Sequence, residues 1–319
     1  MKPTIYLDTC HNSNIGGGEN YLMRFGIALS KFADVYINQN FHQDFIKFNG
    51  FINTFKEYNW DFQPDIHIQC NYNFLTDKIG KKNVLVTFFP KEDLKPTKFD
   101  NIITICDYSA KYVKEYWNSD SSIIYPAIDE SKYITDGIKK NQIISIGHFF
   151  QEADGHSKNQ HILIEAFRKL DLPDWKLVLI GNVNSESDFA YAQGLFDDSL
   201  DLNVEFHFNA TNELVKEELA KSKILWHANG FGRTNPAQTE HFGIIVLEAI
   251  ASNCIPIVHN SGGAKDIESV LTYETIDELV NLTNEFINET IMTIHLPLYR
   301  QYTLQGFEEG VESWLNTML

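Results

Sequence analysis

Short apolar runs alternate with amphipathic segments along most of the chain. The runs are rich in Ile, Val, Leu and aromatic residues, as expected of strands buried on both faces of a sheet. Between them, apolar residues recur at intervals of three and four, which is typical of helices with one buried face. This alternation predicts β-α units built around parallel sheets.

The pattern divides into two series of elements. Predicted strands of the first series are Ile5–Leu7, Val35–Ile37, Ile66–Gln69, Val84–Phe88, Ile102–Ile105 and Ile123–Tyr125. Those of the second are Ile143–Ile146, Leu177–Ile180, Val204–Phe208, Ile224–His227 and Ile255–Val258. Predicted helices are Glu19–Phe32, Asn159–Leu170, Asn212–Lys221, Gly243–Ala251 and a C-terminal segment near Leu298–Met318. We therefore predict two Rossmann-like, doubly wound domains, with a joint near residues 129–141 where Pro126 and Gly137 interrupt the pattern.

The bulk composition describes a globular protein with an uneven charge. The 319 residues carry a formal net charge of −17. Residues 1–140 hold 16 Lys and Arg against 17 Asp and Glu, whereas the remainder holds 10 against 26. The acidic second half argues against a nucleic acid partner. No run of eighteen apolar residues occurs, so no membrane span is predicted.

Four scattered cysteines, Cys10, Cys70, Cys106 and Cys254, form no CxxC pair. They indicate reduced thiols in a cytoplasmic protein, without a disulfide or zinc framework.

In the neutral half, lysines concentrate between Lys78 and Lys98. This segment is either a solvated face or a surface for an anionic lipid headgroup or a phosphate-bearing acceptor, which would place the protein peripherally at the inner face of a membrane.

The stretch from Glu240 to Glu248 carries the clearest chemistry. His241, Phe242 and Gly243 follow Glu240 and lead into an apolar helix that carries Glu248. A helix that begins near Gly243 and Ile244 would point free N–H groups at an anion, and phosphate binds well there. Glu240 would lie beside that anion and accept hydrogen bonds from hydroxyl groups. Glu248 would need a partner on the helix, either a ribose diol or a structural group.

Two further segments provide groups suited to phosphates. Gly16, Gly17 and Gly18 precede the first helix, where the backbone can approach a ligand closely. The spacing is not a dinucleotide fingerprint, because Tyr21 or Met23 stands where the third glycine is needed. The second segment places His148 directly after a strand and Lys158 directly before a helix.

These segments resemble the donor site of retaining GT-B glycosyltransferases, in particular family 4. The resemblance rests on the Gly147-His148-Phe149 run, Lys158-Asn159-Gln160 with the helix that follows, Glu240-His241-Phe242-Gly243 with Glu248, and Ser261-Gly262-Gly263. It extends over residues 14–268, and the run from His259 to Gly263 is similar to that of mannosyltransferases of lipid-linked oligosaccharide assembly.

The resemblance implies a GT-B fold with two Rossmann-like domains facing a cleft. It places an acceptor-side domain at residues 1–135, a nucleotide-sugar domain at 136–297, and a C-terminal helix at 298–319 that returns to the first domain. It implies transfer of a hexose from GDP-mannose or a UDP-hexose to a glycan, lipid-linked or other acceptor hydroxyl.

The same resemblance assigns roles to the candidate residues. Lys158 and His148 would neutralise the leaving diphosphate, Glu240 would hold the sugar, and Glu248 would hold the ribose. The other donor-binding positions are Gly16, Gly17, Gly18, His241, Phe242, Gly243 and Ile244. No metal and no cofactor are expected, since the chain has no Asp-x-Asp pair of the metal-dependent design.

Two positions depart from the family pattern. His148 stands where the family has arginine, and Phe88 stands where many members have a histidine that faces the sugar. A histidine donates one hydrogen bond or carries a charge, but it cannot form a permanent bidentate fork. The departures leave two alternatives open, which are a non-catalytic protein that binds nucleotide sugars or glycans, and a GT-B-fold sugar-nucleotide epimerase.

Overall fold

A computed structural model describes residues 2–8, 17–37, 54–70, 79–94, 96–135, 137–151, 156–288 and 298–319. The chain divides into two compact units. Unit 1 comprises Met1–Ala127 and Arg300–Leu319, and unit 2 comprises Ile128–Tyr299. Each unit is a parallel sheet with helices, which confirms the predicted α/β class.

Unit 1 contains a seven-stranded sheet in the order β3-β2-β1-β4-β5-β6-β7. Its strands are β1 (Thr4–Asp8), β2 (Asp34–Ile37), β3 (Lys56–Glu57), β4 (Ile66–Gln69), β5 (Lys82–Thr87), β6 (Asn101–Thr104) and β7 (Ser122–Ile123). Its helices are α1 (Gly17–Ser30), α2 (Asp107–Trp117) and the C-terminal α8 (Leu304–Met318). All the strand pairs are parallel, and the central strands are buried, as expected when helices cover a sheet.

The C-terminal helix α8 belongs to unit 1, as the sequence predicted. Its buried face packs against α1, where the ring of Trp314 lies 5.6 Å from that of Phe25 and the ring of Phe307 lies 5.8 Å from that of Tyr21. Thr303 caps the helix by accepting a hydrogen bond from the Gly306 N–H. Helix α8 therefore completes the first domain although it follows the whole of the second in sequence.

Unit 2 contains a six-stranded sheet in the order β10-β9-β8-β11-β12-β13. Its strands are β8 (Lys140–Ile146), β9 (Lys176–Gly181), β10 (Val204–Phe208), β11 (Ser222–His227), β12 (Ile255–His259) and β13 (Leu271–Tyr273). Its helices are α3 (Gln160–Leu170), α4 (Glu186–Asp198), α5 (Asn212–Lys221), α6 (Ile244–Ala251) and α7 (Ile276–Ile287). The strand order reverses between β8 and β11, and ligands of such sheets bind where it reverses, beyond the carboxyl ends of the strands.

Asp65 joins the first strand of unit 1 to the segment before β4, and this contact makes stability depend on pH. Its carboxylate accepts hydrogen bonds from the Thr4 N–H at 2.8 Å, the Thr4 hydroxyl at 3.0 Å and the Lys81 ammonium at 2.7 Å. The bond from Lys81, with those from Thr4, lowers the pKa of Asp65 to about 2. Because the folded pKa lies below the unfolded one, the stabilisation is complete above the unfolded pKa and is lost as pH falls through the folded pKa.

We expect Asp65→Asn to lower the urea midpoint at pH 7 and to remove part of its decline between about pH 4 and pH 2. Urea unfolding at a series of pH values measures both effects. Asp61→Asn is the control, because Asp61 is exposed and accepts from the neighbouring Asn59. An acid decline of equal size in wild type and Asp65→Asn would contradict the prediction.

Candidate functional site

The Glu240 carboxylate collects three hydrogen-bond donors at the carboxyl edge of the unit 2 sheet. Its Oε2 atom lies 2.9 Å from the Lys158 ammonium, 2.8 Å from the Asn229 amide nitrogen and 3.4 Å from His227 Nε2. Lys158 precedes α3, His227 ends β11, and Glu240 lies in the loop before α6. Thus donors from two separate segments contact one oxygen atom of a third.

These donors determine the charge of Glu240. Burial alone would raise the pKa of this carboxyl, but the Lys158 charge and the bonds from His227 and Asn229 outweigh it and hold the pKa well below its usual range. Glu240 is therefore an anion at neutral pH. All three donors contact Oε2, and within the described part of the chain no hydrogen bond or ion pair reaches Oε1. The second oxygen is the one left to accept from a ligand.

The two side chains that follow Lys158 fix the position of the lysine. The Asn159 amide donates to the Ala228 carbonyl at 2.9 Å, and the Gln160 amide donates to the carbonyls of Gly147 and His148 at 3.2 and 3.1 Å. Asn159 has a positive φ of 52°, a conformation that asparagine adopts more readily than most residues. The Lys158 stem lies over Gly147, where a Cβ would be 3.1 Å from Lys158 Cγ. The hydrogen bonds of Asn159 and Gln160 therefore fix Lys158 beside the ends of β8 and β11.

Glycines close to Glu240 fix the position of its backbone. The Gly263 N–H donates to the Glu240 carbonyl at 2.7 Å. Gly262 has a φ of +69°, and a Cβ there would overlap the same carbonyl oxygen. Gly243 has a φ of +89°, so α6 begins at Ile244 and not at the glycine that the sequence pattern had included. The loop thus requires glycine for close approach at one position and for conformation at both.

The N-terminus of α6 provides backbone N–H groups of the kind that bind anions. The first N–H groups of a helix have no acceptor within it, so those of Ile244 and Ile245 are available to a ligand. His241 precedes them, and its Nε2 lies 3.1 Å from the Ala237 carbonyl, to which it can only donate. Burial is the main reason that the pKa of His241 is lowered to about 4, so the ring is neutral at physiological pH. Phe242 is buried beside it.

His148, the candidate partner of Lys158, is bound to a carboxylate. Its Nε2 lies 2.8 Å from Asp188 Oδ2, and the same oxygen accepts from the Asn184 N–H at 2.9 Å. Burial opposes ionisation of Asp188, but these bonds lower its pKa, so the carboxylate is ionised and His148 Nε2 carries the proton. The ring can donate to a phosphate only if Nδ1 is protonated as well. The structure therefore places His148 after β8, as predicted. The N–H group at its Nε2 is already hydrogen-bonded to Asp188.

Glu248 has a protein partner. The Tyr133 hydroxyl donates to its Oε1 at 2.9 Å, and the side chain is half-buried. A carboxylate accepts more than one hydrogen bond, so this contact is compatible with a ribose as a second partner. The role of Glu248 in ribose binding stays a prediction.

In unit 1 the structure describes two of the three candidate glycines. Gly17 and Gly18 begin α1, and Gly16 lies outside the described residues. A Cβ on Gly18 would lie 2.8 Å from the Phe88 ring, so the small residue allows the aromatic side chain to lie against the start of the helix. The structure thus brings together the glycine segment and the position where the family often has histidine. Their participation in donor binding stays a prediction.

Sequence reasoning did not identify His227, Asn229, Tyr133 and Asp188 as site residues. His227 was considered only as the end of a predicted strand, and a lone histidine or asparagine there gives no distinguishing signal. The one available signal was position, since residues that follow adjacent parallel strands meet at the same edge of a sheet.

Part of the chain is similar in sequence to known glycosyltransferases. Residues 134–271 match the family model of glycosyl transferases group 1. A GDP-Man:Man(3)GlcNAc(2)-PP-Dol alpha-1,2-mannosyltransferase of Dictyostelium discoideum is 25% identical over 254 residues, which are 74% of this chain and 48% of that protein. The Homo sapiens protein of the same name is 28% identical over 194 residues, 55% of this chain and 37% of that protein.

Solved structures extend the similarity to the whole fold. Anabaena HepE in complex with UDP-glucose has a TM-score of 0.73 at 15% identity, covering 98% of this chain and 99% of that chain. The lipopolysaccharide outer core galactosyltransferase WaaB has a TM-score of 0.68 at 16% identity, covering 99% and 100%. The chain therefore has the GT-B fold, and part of it is similar to glycosyl transferases group 1.

The family match lies within the unit that holds Glu240. The matched residues run from 134, before β8, to 271, at the start of β13, and they include Lys158, His227 and Glu240. The chain spans about half the length, or less, of the curated relatives it matches. What those relatives act on therefore enters only as a basis for a proposal.

Proposed function

We propose that this chain is a retaining glycosyltransferase that moves a hexose from a nucleoside diphosphate sugar to an acceptor hydroxyl. The observation that carries the proposal is the Glu240 carboxylate, anchored at Oε2 by three donors and open at Oε1, directly before the N-terminus of α6. Sugar hydroxyls donate to such an oxygen, and a diphosphate accepts from such a helix terminus. One site thus offers complementary groups to both parts of the donor.

In this proposal the protein stabilises the separating charges. As the bond between sugar and diphosphate breaks, negative charge develops on the leaving phosphate. Lys158 neutralises part of it, because an ammonium has three donors and can hold Glu240 and a phosphate oxygen together. The N–H groups of Ile244 and Ile245 provide a fixed dipole for the same charge. The acceptor hydroxyl attacks the sugar from the face that the diphosphate leaves and gives its proton to the leaving phosphate oxygen, while the anion at Glu240 fixes the sugar through its hydroxyls.

We propose GDP-mannose as the donor and a lipid-linked glycan as the acceptor. Support comes from the relatives, which are named as GDP-Man-dependent mannosyltransferases with a PP-Dol-linked acceptor. HepE was solved with UDP-glucose, so UDP-hexoses are the main competing donors. A thermal-shift panel of GDP-, UDP-, ADP- and TDP-sugars, followed by transfer assays with the stabilising donor, separates these choices. A stabilisation by GDP-mannose alone is expected, and stabilisation by a UDP-sugar alone would contradict the choice of base.

We propose that transfer needs no metal ion and no cofactor. The groups that face the diphosphate in this scheme are Lys158 and backbone N–H groups, which provide positive charge without a metal. Turnover is therefore expected to be the same with excess EDTA and with added Mg²⁺ or Mn²⁺. A loss of turnover in EDTA that Mg²⁺ or Mn²⁺ restores would contradict this part of the proposal.

A second candidate function is a non-catalytic protein that binds nucleotide sugars. The observation that favours it is His148, whose Nε2 is engaged by Asp188 and which replaces a permanently charged arginine of the family pattern. Weak diphosphate stabilisation would then permit binding without bond cleavage. Binding of a donor with neither transfer nor hydrolysis, over prolonged incubation with acceptors, would favour this function over the first.

Contact with a membrane through the Lys78–Lys98 segment is a further proposal. Lys81 is bound to Asp65, and Lys82 donates to the Met318 carbonyl, so these two lysines are partly engaged within unit 1. Next to this segment, the rings of Tyr108, Tyr112 and Tyr116 lie in a row along α2, the first pair edge-to-face and the second pair tilted. Tyrosine is enriched where proteins meet the interface of a bilayer.

The test of this contact is flotation with anionic and zwitterionic vesicles. Binding to anionic vesicles that falls with added salt is expected. Absence of flotation with either composition would remove the membrane contact. Within the described residues, no helix has the length and apolar character needed to span a bilayer.

Replacing Glu248 by alanine is expected to weaken binding of the nucleoside diphosphate about tenfold or more, by loss of a ribose contact and of the Tyr133 bond. Tyr133→Phe is the matched variant, because it removes the hydroxyl that reaches Glu248 and keeps the carboxylate. We expect Tyr133→Phe to change affinity much less. Calorimetric titration measures both, and equal affinities of wild type and Glu248→Ala would show that Glu248 only stabilises the fold.

A further inference from the structure

We infer that His227 is a positioning residue for the reaction, and that it acts by holding Glu240 in the orientation that presents Oε1. The inference deepens the proposed function and rests on it. It starts from an imbalance at Glu240, where all the protein donors contact one carboxylate oxygen. Two of these three donors come from one short stretch, His227 and Asn229, at the end of β11.

The proton on His227 can be assigned. Glu240 is ionised, so its Oε2 only accepts, and His227 Nε2 at 3.4 Å must carry a hydrogen to interact favourably. The other ring nitrogen, Nδ1, is buried and has no hydrogen-bond partner in the described part of the chain. The polar interactions of this buried side chain are therefore confined to Glu240.

The neighbouring histidines His241 and His259 make local contacts instead. His241 donates to the Ala237 carbonyl, and His259 Nδ1 lies 2.8 Å from the Ser261 hydroxyl. Each of them is accounted for by a local contact within four residues in sequence. His227 instead contacts a carboxylate thirteen residues further along the chain. A contact with a residue nearby in sequence therefore does not account for the polar interaction of its ring.

The backbone that carries the imidazole is held in the sheet. The Tyr273 hydroxyl donates to the His227 carbonyl at 3.1 Å, and His227 is paired in register with Val258 of β12. The backbone of His227 is therefore fixed by the sheet, and its side chain is buried. Asn229, also buried, supports the same oxygen, and its own Oδ1 lacks a partner among the described residues. Two fixed donors on Oε2 leave Oε1 as the oxygen that meets the ligand.

A residue of this kind acts through Glu240 and does not contact the reacting atoms. Loss of its hydrogen bond lets the carboxylate rotate, which lowers the fraction of bound donor in the productive geometry. The effect falls on kcat, because the diphosphate and the base, which provide most of the donor affinity in the proposed scheme, lie on other groups. A merely structural role would instead affect stability and nucleotide affinity together.

The test compares His227→Gln with His227→Met. Both side chains are unbranched and similar in length, but only glutamine carries an N–H at about the reach of Nε2. His227→Met is expected to lower kcat roughly 10- to 100-fold, the usual effect of losing a supporting partner of a site residue. The KM for the donor and the Kd for the nucleoside diphosphate should stay within about threefold of wild type. His227→Gln should recover most of kcat.

Equal losses of kcat in the two variants would overturn the inference, as would a parallel loss of nucleoside diphosphate affinity. A second measurement needs no substrate. Thermal unfolding of His227→Met, Glu240→Gln and the double variant is expected to be non-additive, with a smaller loss in Tm than the sum of the single losses. Additive losses would show that the ring does not act through Glu240. If wild type transfers no sugar, the proposed function is wrong. The unfolding cycle would still show whether His227 and Glu240 interact.

Discussion

Glu240→Gln is expected to reduce sugar transfer by roughly 10²- to 10³-fold, comparable to removal of a principal electrostatic group in other enzymes. The reason is the number of acceptors. A carboxylate accepts at both oxygens, whereas a primary amide accepts at one and donates at the other. If the amide oxygen faces Lys158, Asn229 and His227, the NH₂ group faces the ligand and cannot accept from a hydroxyl. If the amide is reversed, the NH₂ group meets three donors.

Steady-state transfer assays and nucleoside diphosphate titrations measure this prediction together. We expect the Kd of the nucleoside diphosphate to change by less than about threefold, since Glu240 is proposed to contact the sugar and not the nucleotide. Glu274→Gln is the control for the same chemical change at an exposed carboxylate, which accepts from Asn260. Unchanged turnover in Glu240→Gln would exclude Glu240 from the reaction.

The sequence pattern predicted the strands better than the helices. Strand Ile66–Gln69, inside its sheet, and strand Val204–Phe208, at the edge of its sheet, were predicted with the bounds that the structure has, because apolar residues recur at every second position. Helix α4 was missed, since its buried positions include Asp188 and Ala192 while Phe189 is exposed, so no apolar stripe is visible. Helix α2 was missed because Cys106, an uncommon N-cap, begins it.

One helix that was not predicted has a recognisable sequence pattern at its start, whereas two strands that were not predicted are very short. Helix α7 begins with a capping box between Thr275 and Glu278, a pattern that the sequence shows directly. Strands β3 and β13 have two and three residues, too few to stand out by alternation. Helix α7 could therefore have been predicted from its cap, whereas strands β3 and β13 are defined mainly by pairing with a neighbouring strand.

The candidate site was predictable only in part, because its contacts join distant segments. Lys158 and Glu240, which the family pattern paired in function, do meet, 82 residues apart in sequence. The contacts that modify the predicted roles were hidden for the same reason. Asp188 reaches His148 over 40 residues and Tyr133 reaches Glu248 over 115. Such partners depend on which strand lies beside which, and periodicity along one strand does not contain that information.

Gly262→Ala is expected to lower stability by more than about 4 kcal/mol and to abolish transfer, although residue 262 carries no functional group. Two effects combine at this position. Its φ of +69° is unfavourable for any residue with a Cβ, and that Cβ would overlap the Glu240 carbonyl oxygen. The overlap is with backbone, so relief requires displacement of the Glu240 loop, including the 2.7 Å bond from the Gly263 N–H.

Gly232→Ala separates the two effects. Gly232 has a φ of +73°, close to that of Gly262, but a Cβ there would meet nothing within 4 Å. Its expected loss is therefore only the conformational part, about 1 to 2 kcal/mol. Urea unfolding of both variants measures the difference, which reports the steric coupling between residue 262 and the Glu240 backbone. Equal losses in the two variants would mean that the loop yields to the added methyl group, and then the placement of Glu240 cannot depend on the close approach of Gly262.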